Sequence, residues 1–279
     1  ASGAQWRAGV GAMAGPPAGA RGPLFACVRG PQTGEAAAAL AAASPHALVV
    51  NVQNGVDGDA VFAAHFPRVV GAVIRQGATR IAPDRVRAFA GGRLAVGAHP
   101  GEEGAGDDVH AVAALLRDAG YDVGVSPRIA EDRWLKLCIN LMSTPNALVR
   151  RAEHATAAFT EGKARLLEEA QRALAAAGIA ARSCDGRDRS LAAEIEHQRT
   201  ALARGEAARP LPIYNSLWQA LTRGDPIEAD AHHEAILAVA GRAGVAAPTN
   251  ERALAALRRV VAAGRGPESC SAEEVLGPA

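Results

Sequence analysis

Short apolar runs alternate with alanine-rich or amphipathic stretches between residues 24 and 126 of the chain. The runs at residues 24–28 and 47–52 are continuously apolar, a pattern typical of strands that are buried on both faces. The alanine-rich residues 34–43 between them predict a helix. Together, these elements predict an α/β domain built on a parallel sheet. Further elements are a helix at residues 107–119, strands at residues 69–74, 86–90 and 94–97 that make an antiparallel addition, and a strand at residues 121–125.

Helical periodicity dominates the second half of the chain. Helices are predicted at residues 161–177, 188–204, 214–222, 225–243 and 252–263, and the Ser126-Pro127 pair marks the change from strand to helix patterns. The sequence therefore predicts an irregular Gly- and Pro-rich segment (1–22), an α/β domain (23–126), an all-helical domain (127–264) and a polar, mobile tail (265–279).

One predicted helix, within residues 134–146, carries polar groups in a row. Lys136, Asn140 and Thr144 are spaced i, i+4 and i+8, which would place an ammonium, an amide and a hydroxyl on one face. Almost all other positions are apolar, so the helix is expected to be buried. Its lysine either extends along its stem to solvent or faces a cleft, where desolvation lowers its pKa toward values useful for proton transfer. Both interpretations stay open on this stretch alone.

Composition excludes several classes of protein. With 49% hydrophobic residues the chain can bury a sizeable core, and its net charge of +1, without a Lys/Arg block, argues against a nucleic-acid partner. The apolar runs are short and interrupted, so no membrane span is predicted. The four cysteines are far apart and include no C-x-x-C pair, so they are interpreted as reduced thiols of a cytoplasmic protein. They are Cys27, Cys138, Cys184 and Cys270.

Two apparent motifs do not fit their usual chemistry. Residues 9–15 have the spacing G-x-G-x-x-x-G, and Pro16-Pro17 follow where a helix would begin, so this is not a phosphate-binding loop. His232, His233 and Glu234 occupy consecutive helix positions that point in different directions and cannot chelate one ion together. No metal site is predicted, and these three residues are expected on a solvated helix face.

Three segments together resemble the ketopantoate reductase family, the 2-dehydropantoate 2-reductases. Residues 134–146 are similar to that family's W-x-K-L-x-x-N-x-x-x-N-P segment, and residues 52–56 to its L-Q-N-G turn. Residues 214–221 followed by 224–230 are similar to its N-S-M-x-Q-D and G-x-x-T-E-I-D segments. The matches occur in the family's order, and the resemblance covers roughly residues 23–260.

The resemblance implies a fold and a reaction. The fold is a Rossmann-like NADP-binding domain followed by an all-helical substrate domain, with the active site in the cleft between them. The family's dinucleotide fingerprint comes before the matched region, so a first βαβ unit of roughly 30 residues is expected to be missing, through truncation or loss. The implied reaction is NADPH-dependent reduction of the 2-oxo acid 2-dehydropantoate to pantoate, toward pantothenate and coenzyme A, by a cytoplasmic enzyme that can be a homodimer.

The resemblance also implies roles for individual residues. Lys136 would be the general acid, and Asn140 would hold its amine or the substrate. Thr144 stands where the family usually has a second asparagine, and its shorter hydroxyl can donate only one hydrogen bond. The implied substrate-binding residues are Asn54, Asn140, Thr144, Asn215, Ser216 and Glu228, and the implied cofactor-binding residues are Arg29, Asn54 and Glu228.

Other interpretations of these residues remain open. Asn54-Gly55 is also a common turn pair, and Glu228 could be the third-position glutamate of a capping box that starts at Asp225. Thr144, His233 and Glu234 depart from the family's pattern, which leaves open a different 2-oxo acid as substrate. The missing fingerprint leaves open a non-catalytic remnant that binds small molecules or partner subunits.

Overall fold

The computed structural model describes residues 11, 13–16, 18–82, 84–88, 92–100, 106–205 and 215–278. The irregular segment predicted at residues 1–22 is described only in part. Residue 214, the first of the helix predicted at 214–222, lies outside the described residues. Among the described residues, five strands form one sheet in the order β1-β2-β3-β6-β7, and two form a separate hairpin. The strands are β1 (Leu24–Ala26), β2 (Val49–Asn51), β3 (Val69–Arg75), β4 (Ala78–Ala82), β5 (Arg85–Ala88), β6 (Arg93–His99) and β7 (Asp122–Val125).

The directions of the strands confirm a parallel sheet with an antiparallel addition, but the strand predicted at residues 69–74 as part of that addition, β3, is parallel to β2. Strands β1, β2 and β3 are parallel, β6 is antiparallel to β3, and β7 is parallel to β6. The strand predicted at residues 86–90 is described only as far as residue 88, and this part is not in the sheet, because β5 pairs with β4 in the hairpin and its residues are all exposed. Since parallel strands end at one edge of a sheet, the turns after β1, β2 and β3 meet there.

Alternate residues of the strands face opposite layers of the domain. Val49 and Val69 pack with Phe62 beneath α1 (Thr33–Ala43) and α2 (Gly58–Ala63). The next residue in β2, Val50, packs on the other face with Leu116 of α3 (Asp107–Asp118). Each such side chain contributes about 1.5–3 kcal/mol when fully buried, which explains why these strands are continuously apolar.

Helix α4 (Ile129–Leu141) joins the sheet to the helical half of the molecule. Its first residue, Ile129, packs on Val73 and Ala95 of the sheet. The approach is close because β6 has a glycine here: a Cβ on Gly97 would lie 2.6 Å from the carbonyl oxygen of Ser126 and 2.9 Å from the Cβ of Ile129. The sheet therefore fixes where the rest of α4 lies.

The remaining helices form one core around the later part of α4. The predicted all-helical second half is confirmed, although the helix predicted at residues 188–204 spans only Leu191–Arg199 and the helix predicted to start at residue 225 begins at Ala229. No helix within the described ranges is both long and apolar enough to cross a membrane. The helices are α5 (Ser143–Leu148), α6 (Ala157–Ala176), α7 (Leu191–Arg199), α8 (Ser216–Arg223), α9 (Ala229–Ala243), α10 (Pro248–Ala262) and α11 (Ala272–Leu276).

The prediction of a mobile tail is wrong for its second half. The backbone N–H of Cys270 donates to the carbonyl of Leu148 over 2.9 Å, and its own carbonyl accepts from the N–H of Arg150 over 2.9 Å. In α11, Val275 and Leu276 are buried in the helical core. Two apolar residues in a short polar segment give too weak a pattern to reveal this packing from sequence.

Candidate active site

A cleft of about 590 Å³ lies between the turns that follow β1 and β2, the end of β3, and helices α4, α8 and α9. Of the eight residues that the sequence assigned to a site, seven line this cleft, and Thr144 does not. The seven are Arg29, Asn54, Lys136, Asn140, Asn215, Ser216 and Glu228. Segments from four distant parts of the sequence therefore converge on one cavity.

Lys136 reaches the cleft from α4, and Asn140 lines it one turn further on, as their spacing predicted. No described residue accepts a hydrogen bond from the Lys136 ammonium. Burial lowers the pKa of Lys136 to about 8, and the positive charge of Arg75 lowers it too, while Asp188 acts in the opposite direction. An ammonium with this pKa can give up a proton near neutral pH.

The position of Lys136, rather than its pKa alone, distinguishes it. The chain has only one other lysine, Lys163, and burial lowers its pKa to about 8 as well. Its ammonium lies 4.9 Å from the ring centroid of Phe159, inside the helical core and away from the cleft. A proton on Lys163 has no substrate to reach, so the two lysines form a natural pair for comparison.

Thr144 was predicted on the same face as Lys136, and this prediction is wrong. The helix does not continue: α4 ends at Leu141 and a new helix begins at Ser143, so the i+8 spacing no longer places Thr144 on that face. Thr144 is fully buried, and its hydroxyl is 2.9 Å from Nε2 of His233. The neighbouring Ser143 lines the cleft instead.

Glu228 is not the capping-box residue that its spacing also allowed. Helix α9 begins at Ala229, with Glu228 at the capping position and no cap bond from its side chain. Its Oε1 instead accepts the backbone N–H of Gly30 over 3.1 Å, and the guanidinium of Arg29 donates to the carbonyl of Pro226. These two bonds hold the turn after β1 against the start of α9.

Asn215 and Ser216 lie at the beginning of α8. The side chain of Asn215 is hydrogen-bonded within the fold, so only that of Ser216 is left to bind a ligand. The Asn215 Oδ1 accepts the backbone N–H of Trp218 over 2.8 Å, and its Nδ2 donates to the carbonyl of Ser143 over 2.9 Å. Asn215 therefore caps α8 and ties it to α5. The hydroxyl of Ser216 has no partner among the described residues and opens on the cleft.

A buried ion pair that the sequence analysis missed fixes the turn carrying Asn54. Arg133 of α4 bonds Asp59 through Nε and through Nη2, the latter over 2.7 Å, and both side chains are almost fully buried. The same guanidinium donates to the carbonyls of Asn51 and Gln53, over 2.9 and 2.8 Å. Because Arg133 precedes Lys136 by less than one turn, this network sets the distance between Lys136 and the turn.

Arg75 and His232 are among the cleft residues that the sequence analysis did not assign to the site. Arg75 ends β3 and pairs with Asp188 over 2.6 Å. His232 and His233 were expected on a solvated face, but both are buried, and only Glu234 is at the surface, paired with Arg258. The spacing of His232, four residues after Glu228, was the signal that could have placed it on the cleft side of α9.

The charges of the cleft favour an anion. Arg75 is paired with Asp188, and Arg223 is paired with Asp225 over 2.8 Å. Lys136 has no acidic partner among the described residues, so its charge is available to a bound ligand. Within the part of the chain that the structure describes, no group of three His, Cys, Asp or Glu side chains could hold a metal ion.

The strand-end side of the cleft fits the reactive end of a dinucleotide. Asn54 is exposed on the turn after β2, and its side-chain amide has no partner among the described residues. Arg29 lines the cleft after β1. Such turns at the carboxyl ends of parallel strands are where α/β domains bind ligands. The turns after β1 and β2 do not have the G-x-G-x-x-G spacing, so they fit the reactive end of a dinucleotide and not its phosphate groups.

Two family models match most of the chain. The one described as "Ketopantoate reductase PanE/ApbA" matches residues 22–101, and the one described as "Ketopantoate reductase PanE/ApbA C terminal" matches residues 128–261. A curated 2-dehydropantoate 2-reductase of Halobacterium salinarum is 29% identical over 228 residues, which are 81% of this chain and 71% of that protein.

Solved structures share the fold at low identity. A ternary complex of D-mandelate dehydrogenase with NADH and anilino(oxo)acetate gives a TM-score of 0.70 at 16% identity, over 87% of this chain and 77% of that one. A dimeric ketopantoate reductase from Staphylococcus aureus gives 0.65 at 18% identity, over 87% and 78%. The predicted fold class, a Rossmann-like domain followed by a helical domain, is confirmed. The chain belongs to the ketopantoate reductase family, as its three sequence segments indicated.

Proposed function

We propose that this chain reduces 2-dehydropantoate to pantoate with NADPH, a step toward pantothenate and coenzyme A. The observation that carries the proposal is the ammonium of Lys136, which is unpaired within the described residues, has a pKa of about 8 and opens on the cleft. A 2-oxo acid needs such a group, because negative charge develops on its carbonyl oxygen during reduction. The membership of the family supports the same reaction.

Each cleft residue has a task in this proposal. Lys136 donates a proton to the carbonyl oxygen of the substrate, and Asn140, one turn on, orients the ammonium or the substrate. The Ser216 hydroxyl donates to the substrate carboxylate. Glu228 keeps Oε1 on the N–H of Gly30 and accepts the substrate hydroxyl with its other oxygen. Thr144 has no task here, because it is buried away from the cleft.

The cofactor side of the proposal rests on Arg29 and Asn54. When bound, a nicotinamide dinucleotide supplies the hydride for the reduction. Arg29 and the free amide of Asn54 would hold its reactive end at the strand ends, opposite Lys136. The buried Arg133–Asp59 pair would keep the turn of Asn54 in place. The preference for NADPH over NADH follows from the resemblance and is part of the proposal.

The two lysines of the chain provide the test. NADPH oxidation with 2-dehydropantoate is measured for the wild type, for Lys136→Met and for Lys163→Met. Both substitutions remove a buried ammonium of lowered pKa, but only Lys136 lines the cleft. Loss of a general acid lowers kcat/KM by about 10²- to 10⁴-fold, so Lys136→Met is expected to show this loss. Lys163→Met is expected to keep the wild-type rate.

The outcomes distinguish the alternatives. Equal activity of Lys136→Met and the wild type would refute the role of Lys136. Turnover of other 2-oxo acids in preference to 2-dehydropantoate would favour a different substrate on the same scaffold. A folded wild type that neither oxidises NADPH nor binds it would favour a non-catalytic remnant that binds small molecules or partner subunits.

We further propose a cytoplasmic homodimer. The four cysteines, interpreted as reduced thiols, are all free in the structure. The ketopantoate reductase of Staphylococcus aureus, which shares this fold, is dimeric. Light scattering of the purified chain tests the assembly, and a monomeric mass at micromolar concentration would count against it.

A further inference from the structure

The side chain of His232 has no hydrogen-bond partner among the described residues, although it is buried in the wall of the cleft. Its relative exposure is 8%, and its Nδ1 has neither solvent contact nor a hydrogen-bond partner. No described residue bonds its Nε2 either. A buried polar atom without a partner is costly, and in folded proteins such atoms are rare enough to call for an explanation.

The neighbouring His233 shows what a structural histidine looks like in the same helix. It is fully buried, its Nδ1 lies 3.1 Å from Oδ1 of Asn250, and its Nε2 lies 2.9 Å from Oγ1 of Thr144. Both ring nitrogens are satisfied, so His233 stabilises the fold. The ring nitrogens of His232, by contrast, form no hydrogen bond with any described residue, and the side chain lines the cleft.

The ring of His232 is neutral and can both donate and accept. Burial, helped by the charge of the Lys136 ammonium, lowers the pKa of His232 to about 4, although Asp230 acts in the opposite direction. A neutral imidazole carries one N–H donor and one lone pair. Lys136 and His232 line the same cleft, so a ligand that contacts the ammonium also lies in the cavity that the imidazole faces.

His232 lies in the first turn of α9, and Glu228 is the residue directly before that helix. Both line the cleft. A ligand hydroxyl between them could donate to the Glu228 carboxylate and accept from the imidazole N–H, which uses both of its hydrogen-bonding functions.

We propose that His232 is a specificity-determining residue that, with Glu228, binds a hydrogen-bonding arm of the 2-oxo acid. This proposal rests on the proposed reduction and names the substrate class that the site selects. A substrate with a hydroxyl on its arm pairs with Nε2 of the imidazole, the ring nitrogen that is not sealed from the cleft. A substrate of the same shape with an apolar arm leaves the imidazole unpaired, which is how sites built around hydrogen bonds reject isosteres.

Two acids of nearly equal shape test the proposal. One is 2-dehydropantoate, with a terminal hydroxyl, and the other is 3,3-dimethyl-2-oxopentanoate, with a methyl group in its place. Both are assayed for turnover and for the rise in Tm that they cause, with wild type, His232→Leu and His232→Asn. His233→Leu removes the adjacent imidazole, which lies outside the cleft, and serves as the control.

The wild type is expected to prefer the hydroxy acid, and His232→Leu to reduce this preference about tenfold or more. His232→Asn, which keeps a donor and an acceptor, is expected to retain part of it. In the absence of ligand His232→Leu should raise Tm, because it removes an unpaired polar group, whereas His233→Leu should lower Tm and leave the preference unchanged.

The measurements separate failure of this inference from failure of the proposed reaction. If the wild type reduces the hydroxy acid and His232→Leu keeps the full preference, the inference is overturned and the reaction stands. If the wild type reduces neither acid, but the hydroxy acid raises its Tm more and this difference disappears in His232→Leu, the inference stands and the reaction is refuted. No turnover and no stabilisation by either acid overturns both.

Discussion

The buried pair of Arg133 and Asp59 leads to a quantitative prediction about both stability and the site. Replacing Arg133 by methionine, an uncharged residue of similar length, removes the bonds to Asp59 and to two backbone carbonyls of the Asn54 turn. The carboxylate of Asp59 is then left in an environment where its side chain is only 2% exposed. A charge stranded in this way is the main cost of breaking such a pair.

The expected loss is large relative to the total stability. Breaking a buried pair by removing one partner costs about 3–5 kcal/mol, against a total free energy of unfolding of about 5–15 kcal/mol for a typical domain. For a chain of this size this corresponds to a fall in Tm of roughly 10 °C. The double variant Asp59→Leu/Arg133→Met strands no charge, and it is expected to lose less than the sum of the two single variants.

Urea unfolding followed by circular dichroism measures these free energies, and an exposed pair in the same chain supplies the control. Arg187 and Asp122 are 44% and 53% exposed, so Arg187→Met should leave the free energy of unfolding nearly unchanged. At a temperature where every variant is folded, Arg133→Met should also bind NADPH more weakly, because the Asn54 turn is no longer held. The reasoning is refuted if Arg133→Met and Arg187→Met destabilise the chain equally.

Three further predictions follow from the same structure. If Lys136 acts as a general acid, kcat/KM falls as the pH rises through the Lys136 pKa of about 8. Arg75→Gln shifts this fall in kcat/KM to higher pH, because it removes a positive charge that lowers the pKa of Lys136, and the pH profiles of the wild type and the variant check this. Thr144→Val lowers the free energy of unfolding by about 1–3 kcal/mol, because it leaves Nε2 of the buried His233 ring without its partner, while Nδ1 keeps its contact with Asn250. KM for the substrate stays unchanged, and a raised KM at unchanged stability would contradict the burial of Thr144. Leu276→Ala lowers the free energy of unfolding by about 2–5 kcal/mol, measured by urea unfolding, because Leu276 is buried. A negligible change would support the original prediction that the tail is mobile.

The local patterns of the sequence were sufficient for much of the fold. The apolar runs at residues 24–28 and 47–52 predicted β1 and β2, and the Ser126-Pro127 pair marked the end of β7 and the approach to α4. The spacing of Lys136 and Asn140 predicted that both lie on one face, and the structure places both in the cleft. These features depend on neighbours within a few positions, so periodicity reveals them.

Predictions that extended a pattern beyond its element failed. Thr144 follows Asn140 by four residues, but the helix stops between them, and one interruption turns the side chain away from the cleft. The start of α9 was placed at Asp225 because Asp and Pro suit a helix start, whereas α9 begins at Ala229 and Glu228 bonds the distant Gly30. At Glu228 a contact with a remote segment overrides local propensity. At Thr144 the cause is local, because Pro145 has no N–H with which to continue the hydrogen bonds of α4.

The sequence by itself therefore determined the class of fold, the family and the lysine on which the proposed chemistry rests. Only the tertiary structure decided which polar residues are satisfied. It pairs Arg133 with Asp59 across 74 positions of the sequence and His233 with Thr144 across 89. Within the described part of the chain, it leaves His232 without a partner in the wall of the cleft. Burial and hydrogen-bond satisfaction depend on groups that are close in space and far apart in sequence, and no spacing along the chain encodes them.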